Sequence, residues 1–112
     1  ALEGARLIVV PAAFNMTTGP AHWELLFRAR ALDNQCFLAG SAPARDETAG
    51  YVSYAHSLVC DPWGRVQAQA GAAPTLLICD IDLAETDAVR AQIPVLGARR
   101  TDLYRLEYEK DS

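Results

Sequence analysis

The sequence predicts an α/β fold, and three observations lead to that prediction. An unbroken apolar run over residues 7–10 is typical of a strand in a parallel sheet, buried on both of its faces. Apolar residues then recur at helical spacing over residues 20–34, and a second apolar run follows directly. With 112 residues, half of them hydrophobic, the chain is expected to fold as a single domain with one core.

The N-terminal part of the chain predicts a helix end, a strand and a longer helix. Residues 1–4 resemble the end of a helix that stops at a glycine. After the strand, Pro20 suits the first turn of the helix over residues 20–34. Thr17 or Thr18 is placed to cap that helix.

The middle of the chain predicts a short strand, a polar loop and a hairpin. The strand falls within residues 35–43, Q-C-F-L-A-G-S-A-P, and the loop within residues 44–51. The hairpin falls within residues 53–71, where two strand-like runs flank D-P-W-G. Proline presets such a turn and glycine closes it.

The last third predicts a strand, a short helix and a tail. Residues 75–83, T-L-L-I-C-D-I-D-L, indicate a further strand. Asp82 is placed to cap the helix that follows, with Glu85 at the position that completes a capping box. Residues 94–112 lack a long periodic pattern and are expected to form an extended tail.

Charge and composition argue against several classes of partner. The net charge is −4 and the ten basic residues are scattered, so nucleic acid is not expected. The longest apolar runs are far shorter than the roughly 20 residues of a membrane span. Three cysteines without C-x-x-C spacing favour free thiols and a reducing, cytoplasmic environment. The scattered cysteines and two histidines match no usual metal-ligand spacing, and neither a metal nor another cofactor is expected.

The reactive side chains do not form an obvious catalytic group. His56 and Cys60 on one strand would lie about 13 Å apart, too far for a thiol and its base. Cys36, Cys60 and Cys79 all sit in apolar strand-like runs, where cysteine is usually a small buried hydrophobe.

Two further candidates are weak. Asp80 and Asp82 face the same side of the predicted strand, but capping explains the second and a solvated strand end explains the first. The chain has one lysine, Lys110, in the terminal stub, so a mechanism that needs a buried lysine cannot be run by this chain alone.

The junction F-N-M-T-T-G-P, residues 14–20, is the best candidate for a binding site. Its backbone amides precede a helix N-terminus and two hydroxyls flank them, a combination that suits a carboxylate or another anion. Plain helix capping by one threonine explains the same residues. The residues alone leave both interpretations open.

Several motifs together resemble one enzyme family. They are V-P-A-A-F-N-M-T-T-G-P-A-H-W-E-L-L with R-A-R-A-L-D-N-Q, then Y-A-H-S-L-V-C-D-P-W-G, D-I-D-L, Q-I-P-V and R-R-T-D-L-Y. In this order they resemble the nitrilase, or carbon-nitrogen hydrolase, superfamily, and within it the omega-amidases. The resemblance spans nearly all 112 residues and implies the C-terminal half of an alpha-beta-beta-alpha sandwich, residues 1–112 being a partial domain.

The resemblance implies amide hydrolysis by a cysteine nucleophile, a glutamate base and a lysine that stabilises the oxyanion. Omega-amidases release ammonia from the terminal amide of 2-oxoglutaramate or 2-oxosuccinamate. In the family all three residues precede the strand that matches residues 7–14, so no catalytic residue is expected in this chain, which should be inactive alone. Glu24 matches a helix residue of the family and not its base.

What carries over from the family is a substrate-binding role for Phe14 and Thr18, whose turn holds the distal carboxylate of the substrate. The resemblance also implies a homodimer that forms through the helix of residues 20–34, a tail that reaches towards the partner through Tyr104, and a buried structural amide at Asn34. Ala73 and Pro74 depart from the family, which commonly keeps an acidic residue before the last strand.

A non-catalytic interaction module is the alternative interpretation. Such a chain would pair with itself or with a full-length homologue through the helix of residues 20–34. An unpaired edge and an apolar face at residues 7–10 would favour chain pairing or aggregation in either case.

Overall fold

A computed structural model describes residues 1–109 of the chain; the end of the predicted tail, with Lys110, lies outside them. The elements follow the predicted order closely. They are β1 (Leu7–Pro11), a π-helical turn (Gly19–Trp23) that continues into α1 (Glu24–Asn34), β2 (Phe37–Ser41), β3 (Leu58–Cys60), β4 (Val66–Gln69) and α2 (Ala84–Gln92).

The four strands form a mixed sheet in the order β1-β2-β3-β4. β1 and β2 are parallel and in register from Leu7 opposite Phe37 to Pro11 opposite Ser41, with α1 as the crossover between them. β3 pairs antiparallel with both β2 and β4. The predicted α/β class, the parallel strand and the hairpin are therefore confirmed.

The D-P-W-G turn between β3 and β4 is held by one carboxylate. Asp61 accepts hydrogen bonds from the backbone amides of Trp63 (2.9 Å) and Arg65 (3.0 Å) and from the Arg65 guanidinium (2.8 Å). Gly64 adopts a φ of +84°, which a residue with a side chain adopts only with strain. The sequence signal for this turn is thus explained by local geometry.

The core lies between α1 and one face of the sheet. Where β2 passes under the helix, Gly40 permits a close approach, since a Cβ there would lie 2.6 Å from Cζ of Phe27. The buried residues of this cluster come from the π-helical turn, from α1 and the residues that follow it, and from the two central strands: Trp23, Phe27, Ala31, Cys36, Leu38, Leu58 and Cys60.

β1 is less buried than predicted. Ile8 and Val10 pack against the core, but Leu7 is 40% exposed and Val9 is 62% exposed. The expectation of burial on both faces is wrong because α1 covers only one of them. On the other face, a cleft of about 270 Å³ lies between the sheet and residues 75–77.

The predicted strand over residues 75–83 is not formed. This segment belongs to no strand of the described sheet, and Leu76 and Ile78 are 84% and 79% exposed. Its pattern suits a strand, but a strand also needs a partner for its backbone groups. One tether is present, from Nε2 of Gln67 to the carbonyl of Asp80 (2.5 Å).

The helix α2 contacts the N-terminal part of the chain. Asp82 accepts a hydrogen bond from the amide of Ala84 (2.9 Å), as the capping prediction requires. Arg90 donates to the carbonyls of Ala5 (3.0 Å) and Asn34 (3.2 Å), which connects α2 to the segment before β1 and to the last residue of α1.

The terminal segments contain turns and irregular structure. Residues 1–4 form one turn, in which the amide of Gly4 donates to the carbonyl of Ala1 (2.9 Å) and Gly4 has a φ of +94°. The predicted glycine stop is therefore present, and the residues before it form a turn and not an assigned helix. Residues 94–109 make several turns and then run without regular structure, leaving Tyr104 53% exposed. In residues 1–109, neither helix has the length and apolarity that crossing a bilayer requires.

Candidate functional site

The candidate site is the turn of residues 14–18, which connects the end of β1 to the π-helical turn. Backbone pairing with the segment of β2 continues beyond the end of β1, since the amide of Ala12 donates to the carbonyl of Ser41 (3.0 Å). A single antiparallel bridge then joins Asn15 to Ser53. The structure thus brings Phe14 and Thr18, both half-buried, to the two ends of one short turn.

Thr18 occupies the N-cap position without a capping bond from its side chain, and Asn15 organises the turn before the helix. Its Oδ1 accepts hydrogen bonds from the amides of Thr17 and Thr18 (both 2.9 Å) and from the hydroxyl of Thr18 (3.1 Å). Its carbonyl accepts the amide of Gly19 (2.8 Å). The capping bond predicted for a threonine side chain is not formed, because the Thr18 hydroxyl donates to Asn15 and does not accept a helix amide. An anion at this turn would have to displace the exposed Asn15 side chain.

Phe14 is fixed by its ring and by its backbone. Its ring meets Trp23 edge-on with centroids 5.1 Å apart, and its carbonyl accepts the amide of Tyr54 (2.7 Å). Trp23 is fully buried and donates from Nε1 to the carbonyl of His56 (2.7 Å). Gly19 lies directly against Tyr54, since a Cβ at Gly19 would be 2.2 Å from Cβ of Tyr54. The turn and residues 54–56 therefore pack as one unit.

Residues 54–56 have an unusual backbone. Ala55 and His56 both adopt left-handed φ angles, 65° and 64°, which non-glycine residues rarely do. The His56 ring stacks on Tyr54, and its Nδ1 lies 2.7 Å from the Tyr54 carbonyl. A carbonyl only accepts, so Nδ1 carries the proton. Arg45 donates to the same carbonyl (2.9 Å), which helps to hold this conformation.

The cysteines lie in different surroundings. Cys36 and Cys60 are fully buried, as predicted, and Cys79 is half-buried, which the apolar run did not indicate. Burial raises the pKa of Cys36, while nearby positive charges oppose that shift. Burial, with a smaller contribution from Glu24, raises the pKa of Cys60 to about 11. Neither buried thiol has the lowered pKa of a nucleophile.

The other side chains considered from the sequence have structural contacts. Glu24 lies 4.0 Å from Arg28 on the surface of α1, so it behaves as a helix residue. In residues 1–109, three or more metal-ligating side chains come together nowhere. Asn34 is half-buried and bonds to the carbonyl of Arg30 (2.9 Å), whereas the adjacent Gln35 is 2% exposed. Asn34 is therefore less buried in this chain than the resemblance implies, and the fully buried amide side chain beside it is that of Gln35.

Comparison with known proteins identifies the family. The family model described as carbon-nitrogen hydrolase matches residues 1–91. The chain belongs to the carbon-nitrogen hydrolase family. It is 54% identical over 110 residues to Omega-amidase NIT2 of Mus musculus and 56% identical over 104 residues to that of Danio rerio. Solved structures of the nitrilase superfamily have the same fold.

Two of these structures resemble the chain closely. The NitFhit protein of C. elegans superposes with a TM-score of 0.87 at 43% identity, over 93% of this chain and 25% of its own. Nit3 of Saccharomyces cerevisiae superposes with a TM-score of 0.84 at 38% identity, over 88% of this chain and 36% of its own. The mouse relative matches 98% of this chain, which spans 40% of that relative's length. The family assignment therefore rests on a chain that spans less than half the length of this relative.

The site residues that the sequence interpretation missed are Asn15, Trp23 and the pair Ala55 and His56. Asn15 carried a usable signal, since asparagine is a preferred capping residue and precedes two threonines and a glycine. For Trp23, the size of the side chain was the only sequence signal of a central position in the core. The left-handed pair carried no local signal, because alanine has no preference for that conformation.

Proposed function

We propose that this chain is the C-terminal portion of an omega-amidase-like carbon-nitrogen hydrolase and that it is inactive alone. In the complete enzyme, the reaction would hydrolyse the terminal amide of a 2-oxo dicarboxylate such as 2-oxoglutaramate. Residues 1–112 would form part of one domain, with residues 94–112 as its tail, in a cytoplasmic protein. The observation that carries this proposal is the 54% identity over 110 residues to Omega-amidase NIT2 of Mus musculus, 40% of whose length the chain spans.

The surroundings of the thiols support inactivity of the isolated chain. Acyl transfer of this kind needs a thiolate and a base within hydrogen-bonding reach of it. Cys36 and Cys60 are buried with raised pKa values, and Cys79 directs its thiol to the carbonyl of Asp80 (3.6 Å). The nucleophile, the base and the oxyanion lysine would therefore come from polypeptide outside these 112 residues.

Phe14 and Thr18 would contact the distal carboxylate of the substrate. The Thr18 hydroxyl donates to Asn15 in the free chain, and in the complex it would donate to the carboxylate. Charge-assisted bonds of this kind are about twice as strong as neutral ones, which favours the exchange. Phe14 would shape the wall beside it, because Trp23 and Tyr54 hold its ring and carbonyl in place.

The activity is tested with the chain alone and with a chimera. In the chimera, this chain replaces the matching 110 residues of the mouse relative, which is 54% identical. Ammonia release from 2-oxoglutaramate is the measurement. We expect turnover by the chimera and none by the chain alone. Turnover by the purified chain would contradict the claim of inactivity, and a folded but inactive chimera would contradict the claim of family function.

The binding role is tested in the same chimera. Thr18→Val removes a hydroxyl with little change of shape and should raise the KM for 2-oxoglutaramate about tenfold. An alkyl amide without a carboxylate should be unaffected. Thr17→Val is the matched control, since Thr17 is exposed and only its amide bonds to Asn15. Equal effects on both substrates, or from both variants, would contradict the proposed role of Thr18.

Pairing through α1 is the second proposal, and exposed leucines favour it. Leu25 and Leu32 are 65% and 52% exposed on this helix, and Leu26 is 37% exposed. Single exposed leucines are ordinary, but several on one helix suit an interface between copies or with a full-length homologue. Light scattering with and without the homologue tests this. A chain that remains monomeric in both mixtures would contradict the pairing.

A further inference from the structure

We propose that Arg45, in the loop between β2 and β3, is a positioning residue for the candidate site. Its guanidinium holds residues 53–56, and these in turn hold the turn of residues 14–18. Arg45 acts through these neighbours and not by contact with the substrate. The inference rests on the proposed function, because the turn of residues 14–18 is where the substrate carboxylate would bind.

The side chain of Arg45 is held by backbone carbonyls. Its Nη2 donates to the carbonyl of Tyr54 (2.9 Å), and its Nε makes a longer contact with the carbonyl of Ser53 (3.4 Å). Its own amide donates to the carbonyl of Ala72 (2.8 Å), which anchors the start of the loop. Arg45 is half-buried, and in residues 1–109 it forms no ion pair with an acidic side chain. Within this part of the chain, the carbonyls and not a charge partner therefore explain its position.

Tyr54 connects Arg45 to the turn. Its amide donates to the carbonyl of Phe14 (2.7 Å), and its Cβ lies where a side chain at Gly19 would have to go. Cζ of Arg45 also lies 5.7 Å from the centroid of the Tyr54 ring, within the range of a cation–π contact. Arg45 and the turn therefore contact the same residue, and a movement of Tyr54 would displace Phe14 as well.

The peptide group between Tyr54 and Ala55 needs an anchor of this kind. Ala55 and His56 both have left-handed φ angles, which are unfavourable for residues with a side chain. The Tyr54 carbonyl belongs to the peptide group that leads into this pair, and it is bonded to both Arg45 and Nδ1 of His56. Without the bond from Arg45, this peptide group would rotate towards a more relaxed conformation and would move Tyr54 with it.

The test uses the chimera and two substitutions of Arg45. Arg45→Met keeps the length of the side chain but removes its charge and its donors. It should raise the KM for 2-oxoglutaramate about tenfold and change kcat less than about twofold, because carboxylate binding is weakened and the chemical step is not. An alkyl amide without a carboxylate should keep its KM. Arg45→Lys retains a charged donor for the Tyr54 carbonyl and should raise the KM only about threefold, for 2-oxoglutaramate alone.

Hydrogen exchange provides a second measurement, which does not depend on turnover. The Tyr54 amide is bonded to Phe14, and its exchange should be about tenfold faster in Arg45→Met. Mass spectrometry of the peptide that contains Tyr54 measures this. Arg65→Met is the matched control, since Arg65 holds the D-P-W-G turn, at the other end of β3, through Asp61 (2.8 Å). It should change neither the KM nor the exchange of Tyr54.

The outcomes separate this inference from the proposed function. An unchanged KM in Arg45→Met, where Thr18→Val raises it, would overturn the role of Arg45 alone. Equal increases for both substrates, an equal effect of Arg65→Met, or faster exchange at Tyr54 without a change in KM would overturn that role too.

Two further outcomes are also decisive. If Arg45→Met does not fold, Arg45→Lys decides, and an unchanged KM for 2-oxoglutaramate in that variant would overturn the inference. A folded chimera without turnover would overturn the proposed function, and this inference with it.

Discussion

Two regions of the molecule share similar sequence patterns but differ in packing. Residues 7–69 carry β1 to β4 and α1, and their apolar residues converge on one buried cluster around Trp23. Residues 75–83 carry an equally apolar run, yet Leu76 and Ile78 are among the most exposed side chains described. The two regions differ in whether a neighbouring strand pairs with them. Each strand of the first region pairs with a neighbour from the same chain, whereas residues 75–83 have none in the described sheet.

An apolar run therefore predicts that a segment can form a strand, but it does not determine which side chains of that segment are buried. Val9 illustrates this within a formed strand, since its backbone pairs with β2 while its side chain is 62% exposed. The exposure of an apolar side chain is therefore decided by the segment that covers it and not by the apolar run to which it belongs.

The largest expected effect comes from truncation in the packed region. Trp23→Ala removes a fully buried ring that contacts Phe14 and Phe27, with centroids 5.1 and 4.5 Å away, and the bond to His56. It should lower the free energy of unfolding by about 3–5 kcal/mol. Urea unfolding followed by circular dichroism provides the measurement.

Leu76→Ala is the matched truncation in the unpacked region. Since Leu76 is 84% exposed, the free energy of unfolding should change by less than about 0.5 kcal/mol. Similar losses of unfolding free energy in Trp23→Ala and Leu76→Ala would mean that residues 75–83 pack in solution. The two regions would then not differ in packing.

Gly19→Ala tests the close packing at the candidate site. The new Cβ would lie 2.2 and 2.3 Å from Cβ and Cγ of Tyr54, atoms too near the backbone to swing away. Overpacking of this kind should destabilise the chain by about 1–3 kcal/mol. Gly50→Ala is the control, since open space surrounds Gly50. Urea midpoints of the two variants provide the measurement, and equal midpoints would show that Gly19 has more room than the contact implies.

The sequence could predict what local patterns encode. The strands β1 and β2, the helix α1 and the D-P-W-G hairpin follow from periodicity and turn residues, and the structure confirms them. The exposure of Val9 could not be predicted, because it depends on what covers the second face. The hydrogen bonds that Asn15 accepts were missed because several nearby residues are equally suited to a helix N-terminus. The roles of Phe14 and Thr18 follow from family resemblance and remain predictions.

The pH dependence of stability should reflect Cys60. Burial raises its pKa from an ordinary 9.0 to about 11 in the folded chain. Below pH 9 both states hold the proton, so the stability is fully present. Between pH 9 and 11 the unfolded state loses the proton first, so stability should fall as the pH rises. Urea unfolding at several pH values tests this, with Cys60→Ala as the reference for other titrating groups. Parallel curves for the two proteins would contradict the assignment.

The smallest expected effect is at Ala55. Its φ of 65° implies backbone strain of about 1–2 kcal/mol, which glycine would relieve. The loss of a buried methyl group and the greater freedom of glycine in the unfolded chain oppose that gain. Ala55→Gly should therefore change the free energy of unfolding by less than about 0.5 kcal/mol.

Ala68→Gly, within β4, has no strain to relieve and should destabilise by about 1 kcal/mol. Urea unfolding of both variants measures this. Equal losses would show that the left-handed conformation at Ala55 is not retained in solution.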